Sequence, residues 1–339
     1  MNDVRPNPLT DPVVPAITSI AIVCGVSSGV FELLSAEGTK VSSERIASKL
    51  ALSAEGVTRL ANVLVALGYL SGSSQGYELT PVSRETLLDS SSQPFRNWVQ
   101  FSRYQIVAAL EAMQVMRTGS PFDLFGKLQH DGALALHQRA MAETARPAAD
   151  WVASQIPVPQ EHDRMLDIGG SHGLYSAALC HRYPPMHSDV VELPEVIDAA
   201  KQVATQYETD QYCTYVPGDI RVAPLTRVYD VMFLGNVVHH FDEKDAGSVL
   251  EKLASHLNPG GVLALWDMFG MPSEPDVVSA CFSFLFFVTS NGSCFAMDEI
   301  VRMLTVSGLV DIQKIRTPES GSHTLVTARK PRDSSARHI

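Results

Sequence analysis

Five stretches of this chain hold residues whose types and spacing could do chemistry. Met165-Leu166-Asp167-Ile168-Gly169-Gly170-Ser171-His172-Gly173 is an apolar run that ends in glycines and passes into the helical pattern of Leu174–Tyr183. Glycines at such a turn let a ligand reach the backbone without a Cβ in the way, so Gly169, Gly170 and Gly173 mark a nucleotide-type site. A plain tight turn and a dinucleotide fold are the alternatives. The latter usually presents Gly-x-Gly-x-x-Gly with no acid just ahead of it, whereas Asp167 stands two residues before Gly169. Val190-Val191-Glu192-Leu193 closes the next strand on an acid, whose oxygens can accept from both hydroxyls of a ribose; a merely solvated strand end is the competing reading of Glu192. Gly218-Asp219-Ile220, after a third strand, offers an acidic and an apolar side chain to a flat base. The stretch Tyr229–Phe241 runs through Gly235 and Asn236 to two imidazoles, His239 and His240. Imidazole takes up a proton near neutral pH, and Asp267, ending Ala264-Leu265-Trp266-Asp267, could orient one.

The elements that must position these residues follow from periodicity. Beyond Pro157 and Pro159, short apolar runs (Met165–Ile168, Val190–Val191, Tyr212–Val216, Val231–Leu234, Val262–Leu265) alternate with amphipathic stretches, the order that builds a parallel sheet covered on both faces. Between Asp242 and Leu257, Ala246, Val249, Leu250, Leu253 and Ala254 share one helix face, and Asn258-Pro259-Gly260-Gly261 is expected to end that helix. Residues 94–156 read as helical and rich in aromatics and methionine. Earlier, helices at 43–50 and Ala54–Leu67, the second capped by Ser53 and stopped by Gly68, precede strand-like Tyr69-Leu70 and Tyr77–Thr80. Helix-turn-helix and then a hairpin is the order of a winged helix. Ala16 to Leu34 is read as one buried helix, too interrupted by serines and glycines for a signal peptide or membrane span. The resulting division is a flexible arm at 1–14, a winged-helix domain at 15–90, a helical linker and pocket region at 91–156, a ligand-binding domain at 157–331 and a flexible tail at 332–339.

Bulk composition narrows the partners. The 339 residues carry a formal charge of −11 and no basic run, which disfavours nucleic acid, since such binding rests on neutralising phosphates. The candidate recognition helix Ala54–Leu67 holds a single cation, Arg59, so its apolar face suits protein packing better than a duplex. The five cysteines form no Cys-x-x-Cys pair, so no metal site is expected, and a reducing cytoplasm fits them best.

Taken in order, the glycine loop, Glu192, Gly218-Asp219-Ile220, the His239-His240 stretch and Leu257–Leu263 resemble the class I S-adenosylmethionine-dependent methyltransferases. Val26–Leu34, Ile46-Ala47, Arg59–Leu70 and Tyr77–Pro81 look like the winged-helix dimerisation domain of the small-molecule O-methyltransferases, the family of the caffeate and acetylserotonin enzymes. The resemblance covers roughly residues 15–330. It implies an α/β fold: a Rossmann-like domain with a mostly parallel seven-stranded sheet, preceded by a mainly helical dimerisation domain. It also implies S-adenosylmethionine held by Asp167, Gly169, Gly170, Gly173, Glu192, Leu193, Gly218, Asp219, Ile220 and Asn236. His239 aligns with the family's general base and Asp267 with one of its two flanking carboxylates. Cys294 stands where the second, a glutamate, is usual, and Gly235 where many members carry lysine. An apolar pocket for a small aromatic or polyketide-like acceptor is expected from Met141, Met268, Phe282, Phe286 and Cys294, with Phe282 and Phe286 also readable as core. A homodimer without nucleic-acid or membrane partners is implied. Methylation at carbon or nitrogen, the non-methylating hydroxylase- or pericyclase-like chemistry of some relatives, and a winged-helix regulator remain the alternatives.

Overall fold

The computed structural model describes residues 6–270, 276–317 and 323–332. The chain divides into two compact units, one up to Tyr104 and one from Gln105 onward. In the first, helices α1 (Val14–Ser27), α2 (Val30–Glu37), α3 (Ser43–Leu50) and α4 (Ala54–Ala66) precede a hairpin of β1 (Leu70–Ser73) and β2 (Gly76–Leu79), then α5 (Pro81–Thr86). Ser53 caps as expected, accepting the Gly56 N–H, and Ser42 likewise accepts the Arg45 N–H, each supplying a partner to an open helix start. The core is Val26, Phe31, Leu34, Ile46, Val57, Leu64, Leu70 and Tyr77.

Ala16 to Leu34 departs from expectation. It forms two helices, because Gly29 takes a left-handed φ of +79° that a side chain would resist. Nor is it buried throughout: Val13, Val14, Ile17 and Ile20 face outward. No single described helix is long and apolar enough to cross a membrane; α1 and α2 would reach that length only as a pair bent by 53°. Of the expected arm, residues 6–13 are exposed turn and coil, and the first five lie outside the described residues. The tail at 332–339 lies outside them from 333 onward.

The division falls within α6 (Arg96–Leu110), after which come α7 (Ala112–Thr118), α8 (Leu124–His130), α9 (Leu134–Ala145) and α10 (Ala149–Gln155). Strand–helix alternation then sets in: β3 (Arg164–Ile168), α11 (Leu174–Arg182), β4 (His187–Glu192), α12 (Ile197–Gln206), β5 (Cys213–Pro217), β6 (Tyr229–Gly235), α13 (Glu243–Ser255) and β7 (Leu257–Met268). Helices α14 (Val277–Ser290) and α15 (Met297–Val306) and strands β8 (Val310–Arg316) and β9 (His323–Arg329) complete the unit. The sheet order is β5-β4-β3-β6-β7-β9-β8, parallel from β5 to β7 and antiparallel at β9 and β8. Helices α13 and α15 cover one face, α10 and α11 the other, so β3, β4 and β6 are buried nearly throughout. Helix α13 stops at Ser255, earlier than expected. Asn258-Pro259-Gly260-Gly261 already belongs to β7, whose Leu257 pairs with Tyr229 while the Asn258 amide donates to Asp230 at 2.7 Å.

Strand order reverses beside β3. The chain moves outward through β4 and β5, then returns to lay β6 on the other side of β3. In such sheets the crevice for ligands opens at the carboxyl ends of the strands next to the reversal. The glycine loop leaves β3 there, Glu192 ends β4, and the His239 turn leaves β6.

Candidate active site

The glycine loop is held from several sides. Asp167 is buried beneath it and accepts from the Ser176 hydroxyl at 2.6 Å, which lies 2.8 Å from that of Ser188. A Cβ on Gly170 would come within 2.5 Å of the Asp167 carboxyl carbon, so Gly170 is bare because Asp167 fills that space. Gly169 and Gly173 take left-handed φ values of +63° and +70°, the second opening α11. Ser171 donates its hydroxyl to Gln138 of α9, the Tyr215 hydroxyl donates to the Ser171 carbonyl at 2.6 Å, and Thr209 donates to the His172 carbonyl at 2.6 Å. Burial pushes the His172 imidazole down to about 3; it is neutral and accepts the Leu174 N–H at 3.1 Å on Nδ1.

Glu192 ties this loop to its neighbour. Its carboxylate accepts the Ser171 N–H at 3.2 Å and the Leu193 N–H at 2.8 Å, and its carbonyl accepts the Gly218 N–H at 2.9 Å. Burial pushes both Glu192 and Asp167 up to about 7, against the hydrogen bonds that favour their charged forms. Asp219 is engaged by the Arg221 guanidinium at 2.6 and 3.0 Å, which holds its carboxyl below the usual range. Ile220 packs into the core, and Lys252 of α13 donates to the carbonyls of Ile220 and Ala223, pinning the turn that carries them. Asn236, at φ +56°, lies with its side-chain oxygen 2.6 Å from Nε2 of His323. A long side chain in place of Gly235 would have no room: a Cβ there would meet the Phe233 ring at 2.7 Å, with the Tyr175 ring beyond at 3.4 Å.

The expected acid–base residues meet after β6. Val238–His240 form one tight helical turn, and His239 is buried with Nδ1 2.6 Å from Oδ1 of Asp267. Asp267, fully buried at the end of β7, also accepts the Met268 N–H at 2.8 Å and the His239 N–H at 3.4 Å. A carboxylate only accepts, so Nδ1 carries the proton, and in the neutral imidazole the lone pair is therefore on Nε2. One face of the imidazole is covered by Phe286 of α14, ring centroids 3.7 Å apart and planes within 11°. His240 points elsewhere, 3.3 Å from the Ser290 hydroxyl, and burial holds its imidazole well below the ordinary range.

The expected pocket residues do not all gather in one place. Met268, Phe282, Phe286 and Cys294 lie around the His239–Asp267 pair. Phe282 touches Phe286 at 5.9 Å, and the Cys294 thiol is pushed up to about 12 by burial and by Asp267. Met141 lies instead by the glycine loop, where its carbonyl accepts from His172. Sequence reasoning missed three participants: Gln138 as a brace of Ser171, Phe286 as a partner of the imidazole itself, and Gly292, which packs on the His239 backbone. The Asn291-Gly292 pair, a common helix stop, was the available signal for the last.

Residues 105–310 match the O-methyltransferase domain and residues 16–89 the O-methyltransferase dimerisation domain. A tetracenomycin polyketide synthesis 8-O-methyl transferase of Streptomyces glaucescens is 26% identical over 206 residues, 59% of this chain and 57% of that protein, so the aligned part spans little more than half of that relative. A 3-hydroxy-5-methyl-1-naphthoate 3-O-methyltransferase of Streptomyces sahachiroi is 23% identical over 96% of this chain and 95% of its own length. The structure of human N-acetylserotonin methyltransferase in complex with SAM superposes with a TM-score of 0.81 at 20% identity, covering 98% of this chain and 100% of that one, a likeness of fold alone.

Proposed function

Because this chain belongs to the O-methyltransferase family, we propose that it uses S-adenosylmethionine to methylate a hydroxyl oxygen of a small aromatic or polyketide-like metabolite. The observation that carries this reading is the buried His239–Asp267 pair at 2.6 Å, its His239 turn leaving the strand next to the glycine loop's β3 and two strands from the acid that ends β4. The residues present fit the cofactor. Each Glu192 oxygen accepts one backbone N–H and keeps a lone pair for a ribose hydroxyl.

When bound, the cofactor supplies a methyl carbon on a positively charged sulfur, so an oxygen electron pair forms the new C–O bond while the C–S pair stays on sulfur. His239 does the proton work: Nε2 takes the hydroxyl proton as the oxygen becomes nucleophilic. Asp267 holds the imidazole in the tautomer that permits this and stabilises the imidazolium that results. Cys294 keeps its proton at neutral pH and cannot serve as a second carboxylate, so among the described residues Asp267 is the carboxylate bonded to His239. Phe282 and Met268 give the site apolar walls suited to a flat acceptor.

The dimerisation domain at 16–89 supports a homodimer, and five unpaired cysteines support a reducing cytoplasm. A labelled-methyl assay over a panel of phenols and hydroxylated polyketides tests the reading. Methyl ether product is expected. Cofactor binding without product on any acceptor would assign the chain to the non-methylating relatives, and methyl on nitrogen or carbon would move the acceptor atom.

A further inference from the structure

We infer that Phe286 is a positioning residue for the base: its ring, laid flat on His239, fixes the imidazole plane and favours the imidazolium formed on proton removal, rather than serving as a wall for the acceptor. The inference rests on the reading of His239 as base.

Three contacts lock the end of α14 to the His239 turn. The Phe286 ring is parallel to the imidazole at 3.7 Å. The Ser290 hydroxyl stands 3.3 Å from His240 Nδ1 and donates to the Phe286 carbonyl at 2.9 Å. Gly292 sends its N–H back to the same carbonyl at 3.3 Å, which places it directly against the backbone of His239 and His240. Phe286 therefore cannot move without the turn, and its ring is 7% exposed. The face in contact with His239 is not available to an acceptor.

The physical effect is twofold. The Nδ1 bond to Asp267 fixes one point of the imidazole but leaves it free to pivot about that bond, and a flat wall at contact distance removes the pivot. A misaimed Nε2 would be expensive, because proton transfer needs its partners within hydrogen-bond reach. The stack also strengthens as the reaction proceeds, since a cation over an aromatic face is attracted by the ring's quadrupole and a neutral imidazole much less so. An interaction that grows on the way to the transition state raises turnover rather than ground-state binding.

The test is a double-mutant cycle on the intact protein. Phe286→Leu should lower kcat about tenfold, the scale of a desolvated cation–π contact, with acceptor KM and cofactor affinity within about twofold. Phe286→Tyr, which keeps the ring, should restore most of the rate. In a His239→Ala background, assayed with a nitrophenol acceptor that arrives ionised, Phe286→Leu should cost nothing further. Equal losses in both backgrounds, or a change confined to acceptor KM, would overturn the inference and leave the base intact. Full activity of His239→Ala on a phenol that arrives protonated would instead remove the base, a separate result. An independent readout is the Nδ1 proton of His239, expected far downfield in the NMR spectrum because its bond to Asp267 is short. It should persist in Phe286→Tyr and broaden in Phe286→Leu or, where that variant melts early, in Phe286→Met. A sharp signal in a folded variant lacking the ring would also overturn the inference.

Discussion

Gly292 lies against His239 so closely that a Cβ there would land on the His239 carbonyl oxygen. The contact is backbone on backbone, so no side chain can swing aside to relieve it. Asn291 sets it up by taking a left-handed φ of +57° at the end of α14, turning the chain back over the His239 turn. Gly292→Ala should therefore displace His239 relative to Asp267. The expected result is a fall in kcat of about tenfold or more and a stability loss of about 1–3 kcal/mol, typical of overpacking. Urea titration and single-turnover rates measure the two; a variant equal to the parent in both would show that the turn adjusts at no cost.

His239→Ala should lower turnover by about 10²–10⁴-fold and leave cofactor affinity nearly unchanged, because a base contributes in the transition state. Asp267→Asn should also be severe, about 10²-fold or more. Both Asp267 oxygens accept backbone N–H groups, so an amide NH₂ placed at either position would face a donor. A pH–rate profile of parent and His239→Ala on one phenol checks the assignment. Superimposable profiles would count against it.

Glu192→Ala should weaken cofactor binding by about 1.5–3 kcal/mol, the worth of hydrogen bonds to a charged acceptor, as read by calorimetry. Burial lifts this carboxyl to about 7, so below that pH the free protein holds it protonated and must release the proton to accept two ribose hydroxyls. Affinity should fall as pH drops below about 7, by up to about tenfold per unit, and the dependence should flatten in Glu192→Gln. Folding stability moves the other way. Between the ordinary value of 4.5 and about 7 the folded state binds a proton that the unfolded chain has lost, so this group's contribution to stability declines as pH rises through that window. Pulse proteolysis of the cofactor-free protein across this range reads the sign.

Ile17 and Ile20 of α1 are 57% and 45% exposed in the isolated chain, with Val13 and Val14 beside them. Apolar side chains grouped on the outer side of a helix within a dimerisation domain are expected to be covered by a second subunit. Ile17→Asp with Ile20→Asp should give a monomer by light scattering at micromolar concentration, with helix content retained by circular dichroism. A dimer as tight as the parent would place the interface elsewhere.

Much of the fold was legible because its signals are local. Ser42, Ser53 and Gly68 announce helix ends through their own side chains or the lack of one, and the buried runs that became β3, β4, β6 and β7 stand out in composition alone. Strand β8 had no such signature. It is an edge strand exposed along most of its length, so nothing required an apolar run there. The helix break at Gly29 was missed because glycine is permissive: it allows a left-handed turn without demanding one.

The sequence by itself determined which chemistry was possible: a glycine turn after a buried strand, an acid two residues ahead of it, another closing the next strand, and an imidazole and a carboxylate at later strand ends. Those are properties of residue type and short spacing, and they persist whatever the rest of the chain does. Only the tertiary structure decided how the pieces act on one another. It buried Asp167 as a brace beneath Gly170, turned Asp219 toward Arg221, and brought Asp267 to Nδ1 of His239 across 28 residues. It also laid Phe286 on the imidazole, a partner 47 positions away that no spacing rule could select. Packing made these choices, because which side chains meet across a sheet depends on strand order and helix placement, and those are settled by the whole core at once.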